Sequence, residues 1–258
     1  RPSVRVRPKR ELGQHFLVDE NILGVVRRLA ELAPHDVVLE VGAGLGVLTA
    51  YLADRVRLVH AVELDRSLET PLRARLADRP NVELLFGDAL ALPLDELDPA
   101  PRKLVANLPY QVATPVVAES LAGLPAVDVW CVMVQREVAD RFFARPHTRS
   151  YGAVSVLVQL TAERTGFHPV SRAVFRPPPN VDSALVAFRR RRDWGSEYEA
   201  IDRVVHAAFA HRRKTLGNSL VLSGFERDRV EAALGERQAL RAEALEPSEF
   251  VALARALT

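Results

Sequence analysis

From Asp36 onward, short runs rich in β-branched residues alternate with amphipathic stretches, and this alternation leaves few folds open to the chain. Strands are expected at Val37–Val41, Leu58–Glu63, Val82–Phe86, Leu104–Asn107 and Val127–Val134, with helices at Gly46–Ala53, Ser67–Ala77, Thr114–Leu121 and Arg136–Ala144. Strands joined through helices run parallel, so the pattern specifies an α/β fold whose sheet is covered on both faces. Two later runs, Val154–Ala162 and Ala184–Arg190, have no helical pattern between them and are expected to form an antiparallel hairpin at the sheet edge. Before the first of these strands, Asp19 can cap a helix over Glu20–Leu32 that has Ile22, Val25, Val26 and Leu29 on one face. After Arg192 the strand signal stops, and residues 198–210, 214–222, 226–234 and 247–257 read as short helices separated by Gly or Pro. The expected organisation is a basic arm and contact segment over residues 1–18, an α/β domain over 19–194 and a small helical domain over 195–258, with the boundary near Trp194-Gly195.

Composition removes other classes. With 258 residues, 48% of them hydrophobic, the chain can bury a sizeable core without disulfides or a structural metal. Its single cysteine, Cys131, lies in an apolar run, so no internal disulfide can form and a reducing compartment is expected. No apolar run approaches the ~18 residues of a membrane span, and the basic start lacks the apolar stretch of a signal peptide, so the expected location is the cytoplasm. The seven His and one Cys form no ligand-spaced cluster, and no metal is expected. The net charge of +2 conceals a pattern: residues 1–10 carry +5, 11–130 carry −8, 131–194 carry +6 and 195–258 carry −1. An acidic body flanked by basic segments suits a polyanion met along one face, although a solvated surface accounts for the same counts.

The sharpest local signal is Val38-Leu39-Glu40-Val41-Gly42-Ala43-Gly44-Leu45-Gly46, a strand running into a glycine turn and then a helix. Such turns bring backbone close to a ligand at the carboxyl end of a sheet. A dinucleotide fold needs its third glycine one residue later, where Val47 stands. Glu40 also aims an anionic group into the turn, which would repel a pyrophosphate but suits a cationic ligand. Two further acids end the next strands, Glu63 and Asp88. The first can accept both hydroxyls of a ribose and the second the amino group of an adenine; the alternative for either alone is a helix cap. Together they describe a nucleoside carrying positive charge, which S-adenosylmethionine fits better than NAD.

After the fourth strand comes Asn107-Leu108-Pro109-Tyr110. The amino nitrogen of adenine is a poor nucleophile because its lone pair is delocalised into the ring. Acceptors aimed at both its hydrogens make it more tetrahedral, and the Asn107 side-chain oxygen with the Leu108 carbonyl, stiffened by Pro109, can supply them. Tyr110 offers a face on which an extruded base can stack. A plain turn is the competing reading, since Asn and Pro both favour turns.

These motifs, in order, carry a resemblance. With Gly13-Gln14-His15-Phe16-Leu17, Gln135-Arg136-Glu137-Val138-Ala139, Val174-Phe175-Arg176-Pro177-Pro178-Pro179-Asn180-Val181-Asp182-Ser183 and Arg212-Arg213-Lys214-Thr215-Leu216, the chain resembles the ribosomal RNA adenine N6,N6-dimethyltransferases, the small-subunit enzymes whose loss gives kasugamycin resistance. The resemblance implies a Rossmann-like class I methyltransferase fold and S-adenosylmethionine as cofactor. It implies dimethylation of two adjacent adenosines in a hairpin near the 3′ end of 16S rRNA, with the assembling 30S subunit as partner and the protein a monomer. It carries cofactor binding onto Leu17, Gly42, Glu63, Asp88, Asn107 and His15, the last standing where the family commonly has Asn. It also makes Phe175 the second half of an aromatic clamp opposite Tyr110. An exposed ring in a stiff basic loop suits stacking; a phenylalanine anchoring the loop in the core is the alternative. Arg136, Arg141, Arg145, Arg149, Arg176, Arg212, Arg213 and Lys214 are candidates for phosphate contacts, with surface ion pairs as the alternative for each. Three alternatives are disfavoured: a relative acting on large-subunit RNA by Val174 to Ser183, an RNA-binding assembly factor without turnover by intact Asn107, Tyr110 and Glu63, and a nicotinamide dehydrogenase by the glycine spacing.

Overall fold

The computed structural model describes residues 16, 17 and 19–258. Its main sheet has seven strands in the order β4-β3-β2-β5-β6-β9-β7, where β2 is Val37–Val41, β3 Leu58–Glu63, β4 Val82–Phe86, β5 Lys103–Asn107, β6 Val129–Gln135, β7 Ala162–Val170 and β9 Ser183–Arg190. The five strands from β4 to β6 are parallel and β9 runs antiparallel to β6. A separate ribbon of two short strands pairs β1, Phe16–Leu17, with β8, Phe175–Arg176.

Helix α1, Glu20–Leu29, starts at Asp19, whose carboxylate accepts the Asn21 amide at 2.8 Å. Between the parallel strands come α2, Val47–Ala53, α3, Glu69–Arg75, α4, Ala113–Gly123, and α5, Arg136–Phe142. The strand order reverses between β2 and β5, and the crevice at the carboxyl ends of those neighbours is where α/β sheets take ligands. The sheet is buried through Val38, Leu39, Leu104, Val105, Cys131 and Val132.

The hairpin expected from Val154–Ala162 is corrected. Residues Ala153–Thr161 form helix α6, and the edge strand is the following segment, β7, which pairs with β9. Val154, Val156, Leu157 and Val158 are all buried, so the helix presents apolar residues on most of its faces and reads as a continuous apolar run.

The chain divides into two compact units. One comprises the residues up to Ala139 with Arg164–Arg190, the other Asp140–Glu163 with Arg191–Thr258. The division therefore differs from a single boundary at Trp194-Gly195: residues 140–163 join the C-terminal helices. The reason is packing, because α6 lies against α7, Glu197–Ala210, and α10, Pro247–Leu257. Within this unit Tyr151 donates its hydroxyl to the Leu245 carbonyl at 2.9 Å, Trp194 donates to Leu160 O at 3.2 Å, and α8, Leu216–Leu222, and α9, Arg227–Leu234, complete the helical set.

Candidate active site

A cleft at the carboxyl edge of the first unit is lined by Phe16, Leu17, Glu40, the glycine turn, Glu63, Leu64, Asp88 and the segment Asn107–Val112. It encloses about 1150 Å³ including space open to solvent, ample for a nucleoside-sized ligand when small-molecule sites span ~300–1,000 Å³. Five of the residues singled out in the sequence for the cofactor (Leu17, Gly42, Glu63, Asp88 and Asn107) meet there. His15 lies outside the described residues, as do Gly13, Gln14 and the basic residues 1–10.

The glycine turn is shaped for close approach rather than for phosphate. Gly42 has φ +84°, and a Cβ there would lie 3.1 Å from Pro109 Cδ, so the missing side chain is what lets the segment after β5 lie against the turn. Gly44, at φ +57°, is covered by the Phe16 ring, 3.3 Å from where its Cβ would be. The amides of Gly42 and Ala43 donate to Val62 O at 2.8 and 3.1 Å, and that of Gly44 donates to Glu63 Oε2 at 2.7 Å. A turn whose donors are already engaged has little to offer a pyrophosphate.

Glu63 is held at both ends. Its Oε1 accepts the Asp65 amide at 2.8 Å while Oε2 accepts Gly44, and the carboxylate so oriented keeps acceptor capacity for a ribose. Burial pushes its pKa up, with the Asp65 and Gly44 amides opposing. Capping falls to Asp65 instead, which accepts from Ser67. Asp88 is exposed at the cleft and uses Oδ1 on the Leu90 amide at 3.0 Å.

Glu40 is buried with its Oε2 lacking a hydrogen-bond partner, and the Thr49 hydroxyl is buried and likewise unpartnered. Burial pushes the Glu40 carboxyl up to about 8, with the Glu63 charge adding to the shift. An orphaned buried carboxyl oxygen in a cleft is stabilised by a cation or donor brought by the ligand, so these residues fit S-adenosylmethionine.

At the other end of the cleft, Asn107 closes β5, and Leu108 is buried with its amide on the Met133 carbonyl at 3.0 Å. Tyr110 is partly exposed at the cleft and its hydroxyl lies 2.7 Å from Ser183 Oγ.

Phe175 is corrected. It is 2% exposed, belongs to the hydrophobic core with Leu17 and Val170, and does not line the cleft. Strand β8 pairs it with Leu17 of the same core, so it is not the exposed ring expected of the basic loop. Of the basic candidates, Arg136 and Arg176 are exposed on the first unit, with Arg136 5.3 Å from the centre of the Phe167 ring. The remainder lie in the second unit, where Arg145, Arg149, Arg212, Arg213 and Lys214 are exposed and Arg141 half-buried. There Arg212 donates to the carbonyls of Arg149 and Tyr151 at 3.2 and 3.3 Å, joining two basic stretches distant in sequence.

Three further residues, given no role in the sequence, belong to the site. Phe16 covers the glycine turn, Leu64 lines the cleft at 53% exposure, and Ser183 is fully buried behind Tyr110. Phe16 and Ser183 stand inside the motifs that carry the resemblance, and Leu64 is an apolar residue set between two acids in Val62-Glu63-Leu64-Asp65.

Residues 5–257 match the model of the family described as ribosomal RNA adenine dimethylase. The chain is 46% identical to the ribosomal RNA small subunit methyltransferase A of Rubrobacter xylanophilus, over 98% of this chain and 96% of that one. It is 43% identical to the protein of the same name from Thermobifida fusca, over 96% and 90%. Among solved structures, a dimethyladenosine transferase from Plasmodium falciparum superposes with a TM-score of 0.75 at 23% identity, over 93% of this chain and 96% of that one. The 23S rRNA methyltransferase ErmE superposes with a TM-score of 0.65 at 31% identity, over 94% and 99%.

Proposed function

The chain belongs to the ribosomal RNA adenine dimethylase family, and from that premise we propose that it dimethylates N6 of two adjacent adenosines in a hairpin near the 3′ end of 16S rRNA during 30S biogenesis. It is an rRNA adenine dimethyltransferase of Rossmann-like class I fold that uses S-adenosylmethionine. Its substrate is rRNA; the assembling 30S particle as partner, action as a monomer and a cytoplasmic location complete the reading. No helix among the described residues is long and apolar enough to cross a membrane.

The observation that carries the reading is the contact of Pro109 with Gly42, which unites the nucleoside cleft and the acceptor segment in one site. S-adenosylmethionine, when bound, supplies an electrophilic methyl on a cationic sulfur. Glu63 would hold the ribose and Asp88 the adenine amine of that cofactor, with Leu17, Gly42 and Asn107 closing around it. On the acceptor side, the Asn107 side-chain oxygen and the Leu108 carbonyl would draw the hydrogens of the target amine out of the base plane, localising its lone pair. The amine can shed its proton to water after the methyl has moved, so no strong base is required. Tyr110 would carry the extruded base on its face. Basic side chains of both units would meet the phosphates.

The test is incubation of the protein with labelled methyl donor and undermethylated 30S particles, followed by nucleoside analysis and primer extension. Labelled N6,N6-dimethyladenosine and a stop near the 3′ end of 16S rRNA are expected. A stop in 23S rRNA instead would favour a large-subunit target, and no transfer at all a binding role. Asn107→Ala is expected to reduce transfer on the order of 10²- to 10³-fold while calorimetry still detects cofactor.

A further inference from the structure

A stacking platform works only if its plane is fixed before the base arrives, since a ring that must be ordered at that moment gives back part of the stacking energy. Tyr110 follows the end of β5, yet its hydroxyl lies 2.7 Å from Ser183 Oγ at the start of β9. Between β5 and β9 stands β6, so the phenol reaches across the carboxyl edge of the sheet. Ser183 is well founded: it is fully buried and in register with Gln135 of β6. The residue before it is fixed twice, the Asp182 carbonyl accepting the Arg136 amide at 3.0 Å and its carboxylate the Arg172 amide at 3.3 Å.

We propose that Ser183 is a positioning residue for the methyl transfer, holding the Tyr110 hydroxyl so that the ring stands ready at the cleft to receive the target adenine. The proposal rests on the reading of Tyr110 as the base platform. With Phe175 buried in the core, Tyr110 is the ring of that expected clamp that lines the cleft, which places the weight of base orientation on its anchor. Burial lifts the phenol pKa above its ordinary range, the Ser183 hydrogen bond opposing and the Asp182 charge adding, so the phenol keeps its proton at neutral pH.

Two arms test this. In protein carrying ring-labelled tyrosine, whose four tyrosines give few signals, Ser183→Ala is expected to move the Tyr110 resonance without RNA present. In transfer assays Ser183→Ala and Tyr110→Phe should each lower kcat by between about 10- and 100-fold. Cofactor and RNA affinities should stay within about twofold, since phosphate contacts dominate RNA affinity. The double variant should be no worse than either single one, and Ser183→Thr should restore turnover by returning the hydroxyl. An unmoved Tyr110 signal, an unchanged kcat for either single variant, or additive losses in the double would overturn the proposal. Absence of transfer by the wild-type protein would instead sink the functional reading, and the proposal with it.

Discussion

At the scale of single residues, the cleft holds a carboxyl group kept in an unfavourable environment. Glu40 lies at the end of a parallel strand with one oxygen unpartnered and a pKa raised to about 8. Between its ordinary value of 4.5 and about 8 the folded chain holds a proton that an unfolded chain has lost. Stability contributed at this site therefore falls as pH rises through that window, by up to about 1.4 kcal/mol per pH unit. Glu40→Gln, which cannot ionise, should flatten that slope, and urea titrations of both proteins from pH 5 to 9 would show it; parallel slopes would refute the assignment. Arg190, half-buried, shows the opposite charge handled differently. Its guanidinium donates to the carbonyls of Val127, Leu121 and Leu124 at 2.8, 2.9 and 3.1 Å and stacks 4.9 Å from the Trp130 ring centre. Inside the run Arg189–Arg192 nothing in the sequence separates this clamp from its exposed neighbours. Phe175 was illegible for the same reason: its burial depends on pairing with Leu17, far away in the chain. Glu63 and Asp88 are legible because the first ends β3 and the second follows β4 by two residues, and a strand end is a local property.

At the scale of elements, β2, β3 and β4 begin and end at the residues expected, with Asp36 and Gly42 bounding β2 and Asn81 and Gly87 bounding β4. Strand β7 is not legible in the sequence, since only Ala162 and Val170 of Ala162-Glu163-Arg164-Thr165-Gly166-Phe167-His168-Pro169-Val170 are buried and nothing alternates between them. Helix α6 reads as a strand in the sequence because a short, largely apolar run fits strand and buried helix alike. The glycine turn and the segment after β5 act as one element through Gly42. Gly42→Ala would force a side chain into positive φ and against the Pro109 ring. The expected cost is on the order of 1–2 kcal/mol in stability, read by denaturant midpoint, with a larger fractional loss of turnover than of cofactor affinity. A variant with normal turnover would separate the two segments functionally.

At the scale of the whole molecule, basic side chains from sequence-distant stretches are distributed over both units, and RNA affinity should fall linearly on a log–log plot against salt. Arg213→Gln is expected to reduce that slope by about 1 with stability unchanged. Arg212→Gln should also lower the unfolding midpoint, because its guanidinium holds the Arg149 and Tyr151 carbonyls. Identical behaviour of the two variants would remove the distinction. The chain passes between its two units three times. The helical part is consequently no detachable cassette. A graft taken from residue 195 onward would arrive without the tyrosine that reaches Leu245 and without the carbonyls that engage Arg212, so exchanging tails between relatives should yield chimaeras that misfold unless residues 140–163 travel with them.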